Sequence, residues 1–193
     1  MKWRKMDVEV VRDDIEKVLF TEEQIESKIS ELAKRISEDY KGRSVLLIGI
    51  LRGATVFLAD LARALSLPVE IDFMAVASYG SATKTSGVVR ILKDLDEDIK
   101  GRHVLIVEDI VDTGLTLNYL MRNLKSRLPK SLELCVLLSK EHKKRAPLSI
   151  KYVGFQIPDK FVVGYGLDYD EKYRNLKSLC TIREHVYTNS DYQ

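Results

Sequence analysis

With 193 residues, 45% apolar and 31% charged, the chain has the size and balance of a single folded domain (residues 1–193) with a real hydrophobic core, not of a disordered segment. A net charge of +2, from 31 basic and 29 acidic residues that are interspersed, gives no overall electrostatic case for a nucleic-acid partner. No run approaches the ~20 apolar residues that cross a bilayer, and the N-terminus lacks the apolar stretch and cleavage pattern of a secretory signal.

Cys135 and Cys180 are far apart and lack CxxC spacing, so they read as reduced, buried thiols. The expectation is a cytoplasmic protein without membrane association.

The first strong element is TEEQIESKISELAKRISED (21–39). Thr21 and Gln24 form a capping box, and Ile25, Ile29, Leu32 and Ile36 share one face, which predicts an amphipathic helix. SVLLIGIL (44–51) is continuously apolar, as in a strand covered on both faces. Gly53 then opens a helical pattern through Val56, Leu58, Leu61 and Leu65, ending by Pro68. VEIDFMAVAS (69–78) is the next strand, followed by YGSATKTSGVVR, a Gly/Ser/Thr/Lys-rich stretch with little burial signal.

RHVLIVED reads as a third buried strand, LTLNYLMRNLKSRL as a helix and SLELCVLLSK (131–140) as a fourth strand. KYVGFQI and KFVVGYG are short strand-like runs. Strands alternating with helices predict an α/β fold, an open, mainly parallel twisted sheet flanked by helices.

In such sheets ligands bind beyond the carboxyl ends of the strands. VLIVEDIVDTGLT there combines Glu108, Asp109 and Asp112 with Thr113-Gly114-Leu115-Thr116, a turn suited to holding phosphate with backbone amides. No GxxxxGK(S/T) accompanies it, which argues against an NTPase, and GxGxxG and GxSxG are absent too. The acidic loop lacks the spacing of a calcium-binding loop, and His103, His142 and His185 offer no metal-ligand spacing. A plain strand followed by an N-capped helix, with Asp112 as the cap, would explain one carboxylate and leave Glu108 and Asp109 unexplained.

Four hydrophobics, two acids, two hydrophobics and Asp-Thr-Gly-x-Thr resemble the phosphoribosyl-diphosphate (PRPP) loop of the type I phosphoribosyltransferases. LLIGILRGATVFLADL, VASYGS, LLSK and IPDKFVVGYGLDYDEKYRNL narrow the resemblance, over roughly residues 10–187, to the hypoxanthine (hypoxanthine-guanine) phosphoribosyltransferases. The resemblance implies the type I fold with a small hood built from the terminal segments. It also implies transfer of the 5-phosphoribosyl group from PRPP to a 6-oxopurine, with Mg2+, and a homodimer or homotetramer.

Carried over residue by residue, it implies that residues 112–116 hold the 5'-phosphate. Glu108 and Asp109 meet the ribose hydroxyls and Mg2+, and Asp112 acts as general base and acid at N7. Lys140 donates to O6, Phe161 stacks on the base, and the Val162 backbone meets the base edge. Asp168, at the base-binding end, helps bind a second magnesium. Arg52, Gly53 and Arg174 meet the diphosphate, and the stretch from Ser78 and Tyr79 to Gly80 belongs to a loop (78–90) closing over the ribose. Members often have a non-proline cis peptide before the residue at position 52.

Each residue also has an ordinary reading. Lys140 suits a strand end, Phe161 a core, Arg52-Gly53 a strand-to-helix turn, and Tyr79 a loop. Asp168 and Arg174 are six apart, a poor spacing for a helical ion pair. A nucleotide-sensing RNA- or DNA-binding regulator is the rival from another class, disfavoured by the near-neutral charge. Among enzymes, a xanthine-preferring transferase is the nearest rival.

Overall fold

The computed structural model describes residue 8 and residues 11–79, 88–141 and 147–188. In chain order the elements are β1 (Ile15–Phe20), α1 (Glu22–Asp39), β2 (Val45–Leu51), α2 (Thr55–Ala64), β3 (Val69–Tyr79), β4 (Val88–Lys93) and β5 (His103–Val111). They continue with α3 (Leu115–Ser126), β6 (Ser131–Lys140), β7 (Tyr152–Ile157), β8 (Val162–Val163), β9 (Leu179–Ile182) and α4 (Glu184–Thr188). Tertiary contacts divide the chain into two units, residues 29–159 and residues 1–28 with 160–193.

The larger unit is built on a six-stranded sheet in the order β4-β3-β2-β5-β6-β7. Only β3 and β4 pair antiparallel; the other four pairings are parallel. The most continuously apolar runs, β2, β5 and β6, take the central positions, where a strand has no edge and both faces need cover. On one face Leu46, Ile48, Ile106, Leu134 and Val136 pack with Leu117, Leu120 and Leu124 of α3.

α2 packs on β2 and β5, burying Phe57, Leu58 and Leu61. A Cβ at Gly49 would lie 2.9 Å from Leu58 Cδ2 and 3.2 Å from Phe73 Cδ1, so glycine lets the helix approach β2 closely. Parallel pairing brings the carboxyl ends of β2, β5 and β6 to one end of the sheet, and the loops after them carry the residues of interest.

The antiparallel edge is tied by a buried carboxylate. Asp72 accepts hydrogen bonds from the amides of Phe73 (2.6 Å) and Asp96 (2.9 Å), and Lys93 Nζ lies 3.4 Å from it. Lys93 also donates to the Phe73 carbonyl at 3.0 Å. Together these bonds fix the turn that follows β4.

In the smaller unit β1, β9 and β8 form an antiparallel sheet over Ile15, Val163, Leu176, Cys180 and Ile182. Tyr173 Oη donates to Asp14 at 2.8 Å. After β8 the chain runs through a series of turns, with positive φ at Gly164, Tyr165, Gly166, Asp170, Glu171 and Tyr173. A Cβ at Gly164 would overlap the Ser178 carbonyl, so both conformation and space require glycine there.

The capping box at α1 forms as the sequence predicts: Thr21 N–H donates to Gln24 Oε1 (2.9 Å) and Gln24 N–H to Thr21 Oγ1 (3.4 Å). Four elements have no counterpart in the sequence reading: β1, β4, β9 and α4. KFVVGYG contributes only the two-residue β8, because Gly164 and Gly166 turn the chain. Among the described residues no helix is long and apolar enough to cross a membrane.

Candidate active site

Glu108 and Asp109 lie within β5, which continues to Val111, rather than at its end. Glu108 is half-buried as a residue, while its Oε2 is withdrawn from solvent and has no hydrogen-bond partner. Burial first, and the neighbouring Asp109 charge second, push its carboxyl well above the usual glutamate range.

Asp109 Oδ1 accepts from the Ile110 amide at 2.8 Å. Its carboxylate also fills the space where a side chain at Gly53 would begin. Gly53 thus brings the turn between β2 and α2 against the acidic pair. The Leu51–Arg52 peptide in that turn is cis. The exposed Arg52 turns its carbonyl back to accept from the Thr55 amide (3.2 Å) and Thr55 Oγ1 (2.6 Å).

After β5 the loop becomes a helix start. The cap of α3 is Gly114, left-handed at φ 76°, and no side chain caps the helix. This overturns capping as the explanation for Asp112, which is instead 53% exposed with Oδ2 3.7 Å from Lys140 Nζ. Asp112 and Thr113 are exposed, Thr116 is half-buried, and Leu115 is 43% exposed in the first turn of α3. The first amides of a helix have no acceptors within the helix, and at α3 no side-chain cap takes one of them.

Lys140 ends β6. Its side chain is only 13% exposed, and Nζ donates to Asp159 Oδ1 at 3.1 Å. The ammonium therefore stands between two carboxylates, one from the loop after β5 and one from the loop after β7. Asp159 was not legible as its partner, because 19 residues separate them. Only the register of β6 on β7 brings the two together.

Ser78 and Tyr79 close β3, paired through the backbone with Val89 and Val88 of β4. This corrects the reading of 78–90 as a loop throughout: strand pairing extends into both ends of it. Gly80 and the rest of the segment through residue 87 lie outside the described residues.

In the smaller unit Phe161 is 43% exposed, which removes the core-aromatic reading, and its ring meets Tyr169 edge-on at 5.5 Å. Val162 is buried in β8, paired with Thr181. Asp168 and Arg174 form an ion pair at 2.8 Å despite their unhelpful spacing. The chain between them is not helical: it doubles back at the Tyr169–Lys172 bridge, so helical spacing was the wrong measure. Asp168 Oδ2 accepts from the Glu171 amide (3.0 Å), and Arg174 Nη1 donates to the Gly166 carbonyl (2.9 Å). Arg174 Nε is buried without a partner.

The family model described as "Phosphoribosyl transferase domain" matches residues 17–170. The chain belongs to the phosphoribosyl transferase family. This phosphoribosyltransferase is 55% identical over 185 residues to the hypoxanthine-guanine phosphoribosyltransferase of Mycobacterium avium, covering 93% of this chain and 91% of that protein. It is 46% identical over 178 residues to the Bacillus subtilis enzyme of the same name, covering 92% of this chain and 99% of that one.

Among solved structures, a Staphylococcus aureus hypoxanthine phosphoribosyltransferase superposes with a TM-score of 0.89 at 44% identity, over 92% of this chain and 97% of that one. A Trypanosoma cruzi hypoxanthine phosphoribosyl transferase gives 0.88 at 48%, over 94% and 98%. The α/β fold with a mainly parallel six-stranded sheet is the fold of these enzymes, and the chain is a transferase.

Proposed function

We propose that this transferase serves purine salvage, moving the 5-phosphoribosyl group of PRPP to N9 of hypoxanthine or guanine and yielding IMP or GMP with diphosphate. The observation carrying the base assignment is the Asp112–Lys140 pair, an acceptor and a donor 3.7 Å apart at one end of the sheet. On a 6-oxopurine N7 and O6 are neighbours; N7–H donates and O6 accepts. That pattern is complementary to a carboxylate beside an ammonium. Adenine offers an amino group where Lys140 also donates, and two donors repel.

The amides of residues 112–116, at the uncapped start of α3, are assigned the 5'-phosphate, and Arg52 and Gly53 lie in the turn assigned to diphosphate. Glu108, with a buried and unpartnered oxygen, suits a ribose hydroxyl or a cation. As diphosphate leaves C1', positive charge grows on the ribose while Asp112 accepts or returns the N7 proton, within the range of general acid–base work. Phe161, partly exposed, is assigned to stack on the base, and the Val162 backbone is assigned the base edge. Arg174 brings positive charge for diphosphate, and Ser78 with Tyr79 begins the segment assigned to covering the ribose, which would protect the developing cation from water.

The donor set suits magnesium. It consists of hard carboxylate oxygens, one of them buried without a hydrogen-bond partner. Magnesium favours such sites, keeping waters and substrate phosphates as its remaining ligands. Glu108, Asp109 and, for a second ion, Asp168 would hold Mg2+, which when bound supplies charge to the diphosphate.

A cytoplasmic location agrees with two buried free thiols, Cys135 and Cys180. A homodimer or homotetramer agrees with exposed apolar side chains at Val56, Ile71 and Leu92, which lie on α2, β3 and β4.

The test is turnover with PRPP and Mg2+ against hypoxanthine, guanine, xanthine, adenine and uracil in parallel. Nucleotide formed from hypoxanthine or guanine and not from adenine supports the reading. A preference for xanthine would move the assignment to that substrate. No turnover with any base, despite PRPP binding, would reject catalysis and favour a sensor.

A further inference from the structure

We propose that Asp159 is the positioning residue that holds Lys140 in place for the O6 oxygen of the base and keeps it from collapsing onto Asp112. The inference rests on the reading of Lys140 as the O6 donor and deepens it.

The argument starts from sheet topology. β6 lies between β5 and β7, and its register sets Ser139 beside Val111 and Lys140 beside Ile157. Asp112 therefore follows β5 on one side of Lys140, and Asp159 follows β7 on the other. Glu141 N–H donates to the Ile157 carbonyl at 3.0 Å, which fixes the backbone beyond the lysine.

The two carboxylates are not equivalent. Nζ makes a hydrogen bond of 3.1 Å with Asp159 Oδ1, whereas Asp112 Oδ2 stands at 3.7 Å, too far for one. An ammonium has three protons to place. The bond to Asp159 holds the ammonium 3.7 Å from the Asp112 carboxylate, which is more than half exposed. A lysine with Asp112 as its nearest anion would close that gap into a direct ion pair. The donor and the acceptor that a purine edge needs would then satisfy each other, and the base would have to break that pair to bind. Asp159 thus touches no reacting atom and acts through Lys140.

The test compares Asp159→Ala, Asp159→Asn and Lys140→Met, singly and in the Asp159→Ala/Lys140→Met double variant. KM and kcat are measured for hypoxanthine and for PRPP, and melting temperatures are recorded. The bond joins a nearly buried ammonium to a 60% exposed carboxylate. Its loss lies between that of an exposed pair and that of a buried charged hydrogen bond, a rise of about five- to thirtyfold in the KM for hypoxanthine.

The KM for PRPP and the melting temperature stay near the wild type. Asp159→Asn, which keeps an acceptor oxygen, falls between wild type and Asp159→Ala. In the Lys140→Met background Asp159→Ala has no further effect. A wild-type KM in Asp159→Ala, or a full independent loss in the double variant, overturns the positioning role while leaving Lys140 as the O6 donor. A Lys140→Met enzyme that handles hypoxanthine like the wild type overturns the underlying assignment, and the positioning role falls with it.

Discussion

Replacing Gly53 by alanine adds one methyl group and tests whether the turn after β2 is built around the Asp109 carboxylate. The position does not require a left-handed backbone, so alanine brings no conformational penalty of its own. The cost is steric. The new Cβ would overlap Asp109 Oδ2, lie 2.8 Å from Cγ and 3.5 Å from Oδ1.

Asp109 is a short side chain anchored by the 2.8 Å bond from the Ile110 amide, so it has little length in which to yield. An off-rotamer displacement costs about 0.5–1.5 kcal/mol, and forcing a methyl into a filled space typically costs about 1–3 kcal/mol. We expect a loss near 2 kcal/mol, or about 4–8 °C in Tm for a chain of this length, with weakened PRPP binding because Asp109 is pushed out of place. Denaturant titration gives the stability, and PRPP titration by calorimetry gives the affinity. The decisive control is Asp109→Ala in the same background, which should restore most of the stability but not the binding. A Gly53→Ala protein within about 0.5 kcal/mol of wild type, the range of an ordinary surface substitution, would refute the contact.

Three further outcomes follow from the same geometry. Gly164→Ala meets both a φ of 95° and the Ser178 backbone carbonyl, neither of which can yield cheaply; a loss of about 3 kcal/mol or more is expected in a denaturant melt. Asp72 is pushed up by burial, but the Asp96 and Phe73 amides and the Lys93 ammonium outweigh this and hold its carboxyl below the ordinary value of 3.8. Its stabilisation is therefore present above about pH 3.8 and lost as the pH falls through the lower folded-state value. Asp72→Asn should cost about 2 kcal/mol at pH 7, and the deficit should shrink below about pH 4 in melts run across that range. Asp112→Asn should leave Tm nearly unchanged, since Asp112 caps no helix, while reducing turnover of hypoxanthine by about 10²- to 10⁴-fold in a spectrophotometric assay.

What the sequence disclosed and what it concealed divide along a physical line. α1 was legible because its cap and its apolar face are both local, and β2, β5 and β6 because central strands are apolar on both faces. β1, Ile15–Phe20, reads IEKVLF, with two adjacent charges and no period-two alternation, and gains its strand character only by pairing with β9, some 160 residues on. β4 is an edge strand in a stretch whose composition suggests a loop. At the candidate site, the acidic pair, the phosphate turn and Lys140 stood out because their chemistry is concentrated in short motifs. The Lys140–Asp159 bond and the Asp168–Arg174 ion pair did not, because one depends on strand register and the other on turns with positive φ.

The most direct measurement is equilibrium binding of IMP and AMP, two nucleotides that share the phosphate and the ribose and differ at C6. If the 112–116 cradle and the Asp112–Lys140 pair read a 5'-phosphate and a 6-oxo group together, IMP should bind about a hundredfold more tightly than AMP, and Lys140→Met should remove most of the difference. Equal affinities for IMP and AMP in the wild-type protein would contradict the account.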